Sequence, residues 1–308
     1  MVYDLIIIGG GPAGITAGIY AVRQKLNTLL ITKNFGGQVT RKAVEIENYP
    51  GFEKISGEEL IKRFEFHLRK LKIDIERDEV KDIKKTKDKF IVTTKSKNNF
   101  QSKTVIIATG ADPRPLEVKG EKEFLGKGVS YCVQCDGPLF EGKMVAVIGG
   151  GNAGFEVAFY LSKIAKKVHI LEFDKEVRAD QENQERVKKT NKVEVITNVQ
   201  VKEIKGRDFV SSLVFQNRET KSYFEIPVHG VFIEVGYQPS TVFAKKLVEF
   251  NERDEIKVEF ETFQTKTPGL FAAGDCNTGK YKQIITAAGE GAKAALAAYD
   301  YLKEKKLI

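Results

Sequence analysis

The strongest constraint in this sequence is a unit that occurs twice. Residues 5–14 read LIIIGGGPAG, a short β-branched run that ends in Gly9-x-Gly11-x-x-Gly14. A helical pattern follows to about Lys25, and a second apolar run covers residues 28–32. The same order returns downstream. A strand pattern at 145–148 leads into Gly149-x-Gly151-x-x-Gly154 (GGGNAG), then a helix to about Ala165 and a strand at 167–172, KVHILE. In such a unit the first glycine permits a tight turn. The second lets a pyrophosphate approach the backbone, and the third lets helix and strand pack closely, with the helix N-terminus facing the phosphates. A lone GxGxxG says little, but the strand–turn–helix–strand context predicts dinucleotide binding. Gly149 lies 140 positions after Gly9. The expected fold class is therefore α/β, with two Rossmann-like three-layer dinucleotide-binding domains.

At about 150 residues per domain, a chain of 308 residues also predicts two domains. Hydrophobic residues at 42% and charged residues at 30% describe a soluble globular chain with a full core. No run of 18 apolar residues exists, so no membrane span is expected. The formal charge of +8 is spread along the chain, densest at 81–89 and 303–306. Neither stretch is interleaved with aromatics, so a solvated face is expected and no nucleic-acid partner. Met1-Val-Tyr-Asp4 carries an acid where a signal peptide needs cations, and the apolar run after it is too short. A cytoplasmic protein is expected.

Two dinucleotides side by side are what hydride transfer to a flavin needs. The second unit is informative about its ligand. Glu172 ends the second strand, 23 residues after Gly149. An acid there can accept a hydrogen bond from a ribose 2′-OH and repels a 2′-phosphate, which favours NADH over NADPH. Asp174 adds to the repulsion. The competing reading is a strand end that points to water. The first unit has Thr32 and Lys33 at the comparable place and lacks the acid. Near the C-terminus, LFAAGDC (270–276) is a buried strand followed by Gly-Asp, and an Ala-rich helix runs from about 283 to 302. Asp275 could cap a helix or hold a ribityl hydroxyl.

Cysteine numbers only three, too few for a secreted disulfide framework. Cys132-Val-Gln-Cys135 is a CxxC, which can be half a zinc site, a redox pair or an accident. The remaining Cys276 and the scattered His67, His169 and His229 lack ligand spacing, so no metal site is expected. A redox pair fits the chemistry, because neighbouring cysteines form a reducible disulfide. Asp136 follows directly and could pass protons. Cys276 reads as a buried structural thiol.

Together these residues resemble the low-molecular-weight thioredoxin reductase family, class II pyridine nucleotide-disulfide oxidoreductases. The likeness runs from Tyr3 to about Leu302. It rests on GGGPAG (9–14), FGGQ (35–38), IENYPG (46–51), ATG (108–110), YCVQCDG (131–137), GGGNAG (149–154), AAGDC (272–276) and KQIITAAGEG (282–291). CDGPLFEGK (135–143), LEFDKEVRAD (171–180) and YKQIITAAGEGAKA (281–294) are most similar to the flavoprotein part of the F component of alkyl hydroperoxide reductase. That branch carries an N-terminal thioredoxin-like module. This chain starts at the first glycine-rich unit, so a separate carrier is expected.

The resemblance implies a discontinuous FAD-binding domain at 1–112 and 241–308, with an NAD(H)-binding domain that carries the CxxC inserted at 113–240. FAD would be held by Gly9, Gly11, Pro12, Ala13, Gly14, Gly37, Gln38, Asn48, Asp275, Gln283 and Ile284. NAD would be held by Gly149, Gly151, Asn152, Ala153, Gly154, Glu172 and Arg178. Cys132 and Cys135 would form the redox disulfide, with Cys135 nearer the flavin and Asp136 as proton donor. The inserted domain would rotate so that the flavin meets nicotinamide in one pose and the disulfide in the other. Cys132 would attack the disulfide of a thioredoxin- or glutaredoxin-like protein, and a homodimer is expected. Relatives without the CxxC act as NADH oxidases or ferredoxin reductases, the alternative reading; a nucleotide sensor without catalysis is disfavoured by the Cys–Cys–Asp set. The chain departs from the family where NADPH-using members carry His-Arg-Arg. It has Glu172, Phe173 and Asp174 there, and of the basic set only Arg178 remains.

Overall fold

Leu5, Ile6 and Ile7 have no exposed surface and Ile8 is 3% exposed. A strand buried on both faces belongs at the centre of a parallel sheet. In the computed structural model Val2–Gly10 takes that place, paired in parallel with Thr28–Phe35 on one side and Asn99–Ile107 on the other. The structure describes residues 1–42, 46 and 48–308, without the side chains of Arg41, Lys42, Gln134 and Cys135. The chain divides into two compact units, Met1–Asp112 with Gln238–Ile308, and Pro113–Tyr237.

The first unit is built on a seven-stranded sheet. Along its other edge Asn99–Ile107 is long enough to serve two partners. Its first half pairs antiparallel with Phe90–Thr94, and its second half pairs parallel with Leu270–Ala272. The returning C-terminal segment thus completes the sheet. Alternation along the strands divides the core. Leu5, Ile7, Leu30, Ile106 and Phe271 face the helices, while Ile6, Ile8, Leu29, Ile31, Val105 and Ile107 face the other side. Helix Pro12–Arg23 packs against helix Ile284–Glu304 through small residues, among them Ala13, Ala17, Ala294 and Ala298. A Cβ on Gly291 would stand 2.0 Å from the Ala13 carbonyl oxygen, so only glycine permits this crossing.

The second unit has a five-stranded parallel sheet in the spatial order Val193–Ile196, Lys167–Leu171, Met144–Ile148, Gly230–Ile233, Val129–Ser130. Val145, Val147, Val168, Ile170 and Phe232 meet Phe155, Ala158 and Leu161 of helix Asn152–Ser162. Ala146, Ile148, Leu171, Val231 and Ile233 meet a three-stranded antiparallel sheet through Val201, Ile204, Leu213 and Phe215. Period-two alternation of apolar residues therefore makes three layers. The two connecting strands, Ala111–Pro113 and Tyr237–Pro239, pair with each other. Among the described residues no helix is long and apolar enough to cross a membrane.

Element ends differ modestly from the sequence-based expectation. The strand expected at 28–32 continues to Phe35, which pairs with Gly10 after a shift of register, and the buried Thr32 donates its hydroxyl to the Asn34 carbonyl (2.7 Å). The strand expected to reach Glu172 stops at Leu171, leaving Glu172 in the turn beyond the sheet edge.

Candidate functional site

The two glycine loops have the same geometry. Gly9 has φ +118° and Gly149 has φ +121°; a Cβ there would stand 2.2 Å from the Ala108 oxygen and 2.3 Å from the Glu234 oxygen, respectively. Each loop brings its strand against a neighbouring backbone at that point. Cβ atoms on Gly14 and Gly154 would each lie 1.9 Å from the carbonyl oxygen of the first glycine, so these residues set the helix-to-strand distance. Gly11 and Gly151 are the opposite case. Among the described residues no heavy atom lies within 4 Å of a Cβ built on either. That open space lies before two helices without side-chain caps and without acids in their first turns, Pro12–Arg23 and Asn152–Ser162. Two other helices of the chain are finished differently. Ser56 caps Gly57–Arg69, Asp180 caps Gln181–Lys188, and both have acids in the first turn. Free N–H groups, a favourable helix dipole and open room are what a pyrophosphate requires.

In the first unit the structure gathers residues far apart in sequence. Gly37, with φ +56°, has Gly11 as its near neighbour. Gln38 opens the short helix Gln38–Lys42, and its Nε2 donates to the Ala111 oxygen at 2.5 Å. Asn48 Nδ2 donates to Gln283 Oε1 at 3.3 Å, across 235 positions of sequence. Gln283 is the N-cap of helix Ile284–Glu304 and forms a capping box with Thr286; Asp275 is thus not the cap of that helix. Thr109 Oγ1, next to the Ala108 carbonyl against which Gly9 sits, is buried with no hydrogen-bond partner among the described residues. An orphaned hydroxyl there fits a polar ligand on this loop.

Asp275 belongs to a charged cluster that sequence reasoning missed in part. Burial raises its pKa, and Glu255 adds to the effect while Lys282 opposes it. Glu290, on the Ala-rich helix, sends Oε2 to the Gly274 N–H and to Asn277 Nδ2, both at 2.7 Å. This clamp holds the turn that carries Asp275, where Gly274 has φ +80°. A Glu amid alanines on a packed helix was the available signal, since a carboxylate is retained there only with bonded partners. The Cys276 thiol is buried, pushed up to about 12 by burial, and 3.4 Å from the Ile107 and Ala273 oxygens. It is therefore a poor nucleophile.

Burial also raises the pKa of Glu290 above its ordinary 4.5, and nearby Asp275 adds to this against Lys282 and the two bonds. Well below 4.5, folded and unfolded states both hold the proton. As the pH rises through and above that value the unfolded chain releases its proton first, so folding loses stability. Gln at this position can accept both bonds through one oxygen. Glu290→Gln is expected to melt higher than the parent at pH 7.5 and to lose that advantage by pH 4. Thermal melts across this range check it; an advantage that grows towards acid pH contradicts it.

In the second unit Glu172 is buried. Its Oε2 accepts from the Gly150 N–H at 2.5 Å and its Oε1 from the Asp174 N–H at 2.7 Å. Arg178 N donates to the Gly150 oxygen at 2.9 Å, and Arg178 Nη2 donates to Asp174 Oδ2. Asn152 Oδ1 accepts from Asp180 N at 2.8 Å. The glycine loop, Glu172, Asn152 and Arg178 thus form one edge. Each carboxylate oxygen of Glu172 accepts one of these bonds, and a carboxylate oxygen has the capacity to accept a second.

Cys132 follows the two-residue strand Val129–Ser130 and precedes the single helical turn Val133–Asp136. The buried Ser130 hydroxyl grips it twice, accepting from Cys132 N at 2.9 Å and donating to Cys132 O at 3.1 Å. Asp136 N donates to the same oxygen at 3.1 Å, which closes the turn. Tyr131 donates to Glu121, a buried carboxylate that also accepts from Leu116 N and Glu117 N at 2.8 and 2.5 Å. Burial first, and then Glu121, raise the Tyr131 pKa, so its hydroxyl stays protonated. Neither Ser130 nor Glu121 carries a motif that marks it in sequence. The side chain of Cys135, a predicted site residue, lies outside the described ones. Among the described residues no cluster of three His, Cys, Asp or Glu could hold a metal.

This arrangement has a known family. The chain belongs to the pyridine nucleotide-disulphide oxidoreductase family, which residues 3–291 match. Its structure resembles thioredoxin reductase of Lactococcus lactis, with a TM-score of 0.92 and 38% identity over 98% of this chain and 99% of that one. It is 42% identical to a Bacillus subtilis (strain 168) protein named NADH dehydrogenase, over 97% of this chain and 58% of that protein. It is 41% identical to the F component of alkyl hydroperoxide reductase from Pseudomonas aeruginosa, again over 97% of this chain and 58% of the relative. The chain thus spans somewhat over half the length of these curated relatives.

Proposed function

We propose that this chain is an FAD-dependent disulfide reductase. Electrons would pass from NADH through FAD to Cys132 and Cys135, and on to a separate thioredoxin- or glutaredoxin-like protein. The observation that carries this reading is a CxxC, held at Cys132 by Ser130, in a chain with two glycine loops of the same open geometry. The unit Met1–Asp112 with Gln238–Ile308 would hold FAD and the unit Pro113–Tyr237 would hold NADH. Bound FAD would supply a two-electron carrier between nicotinamide and a disulfide.

The chain's residues have these parts. Gly11 and Gly37 leave room for the pyrophosphate, with the N-terminus of helix Pro12–Arg23 facing it. Asp275, steadied by the Glu290 clamp on Gly274, would hold a ribityl hydroxyl, and Asn48 and Gln283, bonded to each other, would also hold FAD. Gly151 leaves room for the second pyrophosphate and Glu172 accepts from the adenosine ribose. Cys132, as thiolate, attacks one sulfur of the carrier disulfide and forms a mixed disulfide. Cys135 then attacks Cys132 Sγ, the intramolecular disulfide forms, and the carrier leaves as a dithiol. Two electrons and two protons reach the carrier, and Asp136 is the nearby acid that relays a proton.

A second reading follows from the relative named NADH dehydrogenase: the same fold could pass electrons onward without using the cysteines. One anaerobic titration separates the two. Two equivalents of NADH per chain, four electrons, are expected to expose two thiols per chain and to bleach the flavin absorbance, with NADH preferred to NADPH by about tenfold or more. Bleaching without a gain of two thiols favours the second reading. No bleaching by either nucleotide removes both.

A further inference from the structure

The chain reaches Cys132 along a strand of only two residues. Val129–Ser130 lies at the edge of the five-stranded sheet, where its partner is Gly230–Ile233. So short an edge strand leaves the place of the next residue weakly determined. We propose that Tyr131 and Glu121 form a latch that sets the reducing power of the cysteine pair, by fixing the place of Cys132 and so favouring closure of its disulfide. This rests on the reading of Cys132 and Cys135 as a redox pair.

Glu121 is a fixed post. It is 3% exposed, and its segment is fastened to the strand Val199–Gly206. Ile204 N donates to the Lys119 oxygen at 2.9 Å. Gly120, with φ +87°, lies so close to that strand that a Cβ on it would stand 2.0 Å from the Ile204 carbonyl oxygen. Phe124, whose N donates to the Gly120 oxygen at 2.9 Å, is buried in the same core as Val201 and Leu213. The Glu121 carboxylate accepts from Leu116 N and from the Tyr131 hydroxyl through Oε1, and from Glu117 N through Oε2. A buried carboxylate is retained only with such partners.

Tyr131 connects the cysteine segment to this post. Its ring packs with the core that holds Val129 and Val231, and its hydroxyl, kept protonated by burial, donates to Glu121. Ser130 acts differently. Its hydroxyl holds the N–H and carbonyl of Cys132, but those bonds span two residues and travel with the segment. They fix the shape of the turn and not its place. The Tyr131–Glu121 bond spans ten positions and ties the segment to a separate strand. A thiol held in one place has a higher effective concentration toward its neighbour, which favours the disulfide over the dithiol. A pair whose disulfide is favoured gives up its electrons more readily, as reduction of a carrier requires.

The test equilibrates the flavin-loaded protein, without oxygen, in graded ratios of dithiothreitol to its oxidised form, then quenches with acid and labels thiols. The dithiol of the pair gives two electrons and two protons to oxidised dithiothreitol and becomes the disulfide, so a gain of two labelled thiols reports the balance of the two forms. Tyr131→Phe keeps the ring in the core and removes only the bond. It is expected to shift the equilibrium about tenfold toward the dithiol, a pair less reducing by about 30 mV. Glu121→Ala is expected to shift it by a similar factor, and Tyr131→Phe/Glu121→Ala no further than either alone, because the two act as one unit. Melting curves accompany each variant, and if Glu121→Ala does not fold, Tyr131→Phe decides alone. A Tyr131→Phe variant that melts lower but keeps the parent equilibrium overturns the proposal, since the bond is then merely structural. A shift toward the disulfide overturns it too. If the parent titrates by two thiols and the variants match it, only this inference falls. If the parent never gains two thiols, the redox-pair reading falls with it.

Discussion

Cys135→Ser is expected to lower reduction of a thioredoxin-like disulfide by about a thousandfold or more, while the flavin is still bleached by NADH. A serine hydroxyl can neither form the intramolecular disulfide nor displace a mixed disulfide, so the route to the carrier is cut after the flavin. Cys132 keeps its setting in this variant. The Ser130 hydroxyl holds its N–H and carbonyl, and the Asp136 N–H closes the turn over that carbonyl. It should therefore still attack a carrier disulfide and remain joined to it. Stopped-flow absorbance gives the first half of the result, and a carrier-reduction assay gives the second. The trapped mixed disulfide is visible as a non-reducing gel shift that disappears in Cys132→Ser. Carrier reduction at the parent rate in Cys135→Ser would rule out the relay.

The second large effect separates two glycines three residues apart. Gly151→Val should leave the fold nearly unchanged and lower NADH affinity about thirtyfold or more. Gly151 has φ −86° and ψ 179°, extended backbone open to any residue, and no described atom lies within 4 Å of its Cβ position. Valine there takes up the room argued for the pyrophosphate and removes nothing from the core. Gly154→Val should destabilise the protein by about 3 kcal/mol. Its Cβ would sit 1.9 Å from the Gly149 carbonyl oxygen, so helix Asn152–Ser162 must lift from the sheet. Chemical denaturation and equilibrium binding on both variants decide it. If Gly151→Val unfolds the protein while Gly154→Val melts like the parent, the assignment of one glycine to ligand and the other to packing is wrong.

Both glycine loops were legible before any coordinates. Each is a run of six consecutive residues, and two reasons for its glycines, the positive φ of the first and the close contact of the third with the first, lie within the loop itself. The alternation that divides Ile6 and Ile8 from Leu5 and Ile7 was legible for a similar reason, because side chains change face at every residue of a strand. The acid at Glu172 could be placed by counting along a strand–helix–strand unit of known length. Asp275 could not be decided in this way. A cap and a ligand holder have the same local sequence, and only the position of Gln283 at the helix start removed the first option.

What tertiary structure decided are contacts between side chains distant in sequence. Asn48 meets Gln283, Glu290 clamps Gly274 and Asn277, and Glu121 ties down Tyr131 beside Cys132. None has a periodic signature, since each depends on how separate elements pack. Arg178 shows the boundary between the two kinds of information. Its presence among acids was readable, but its commitment to Asp174, with its backbone held by Gly150, was not. By itself the sequence determined two dinucleotide units and a cysteine pair, because backbone sterics and strand alternation act over a few residues. The tertiary structure decided which polar groups are already satisfied and which remain open to a ligand, because a hydrogen bond is made by whatever group the packing brings within about 3 Å.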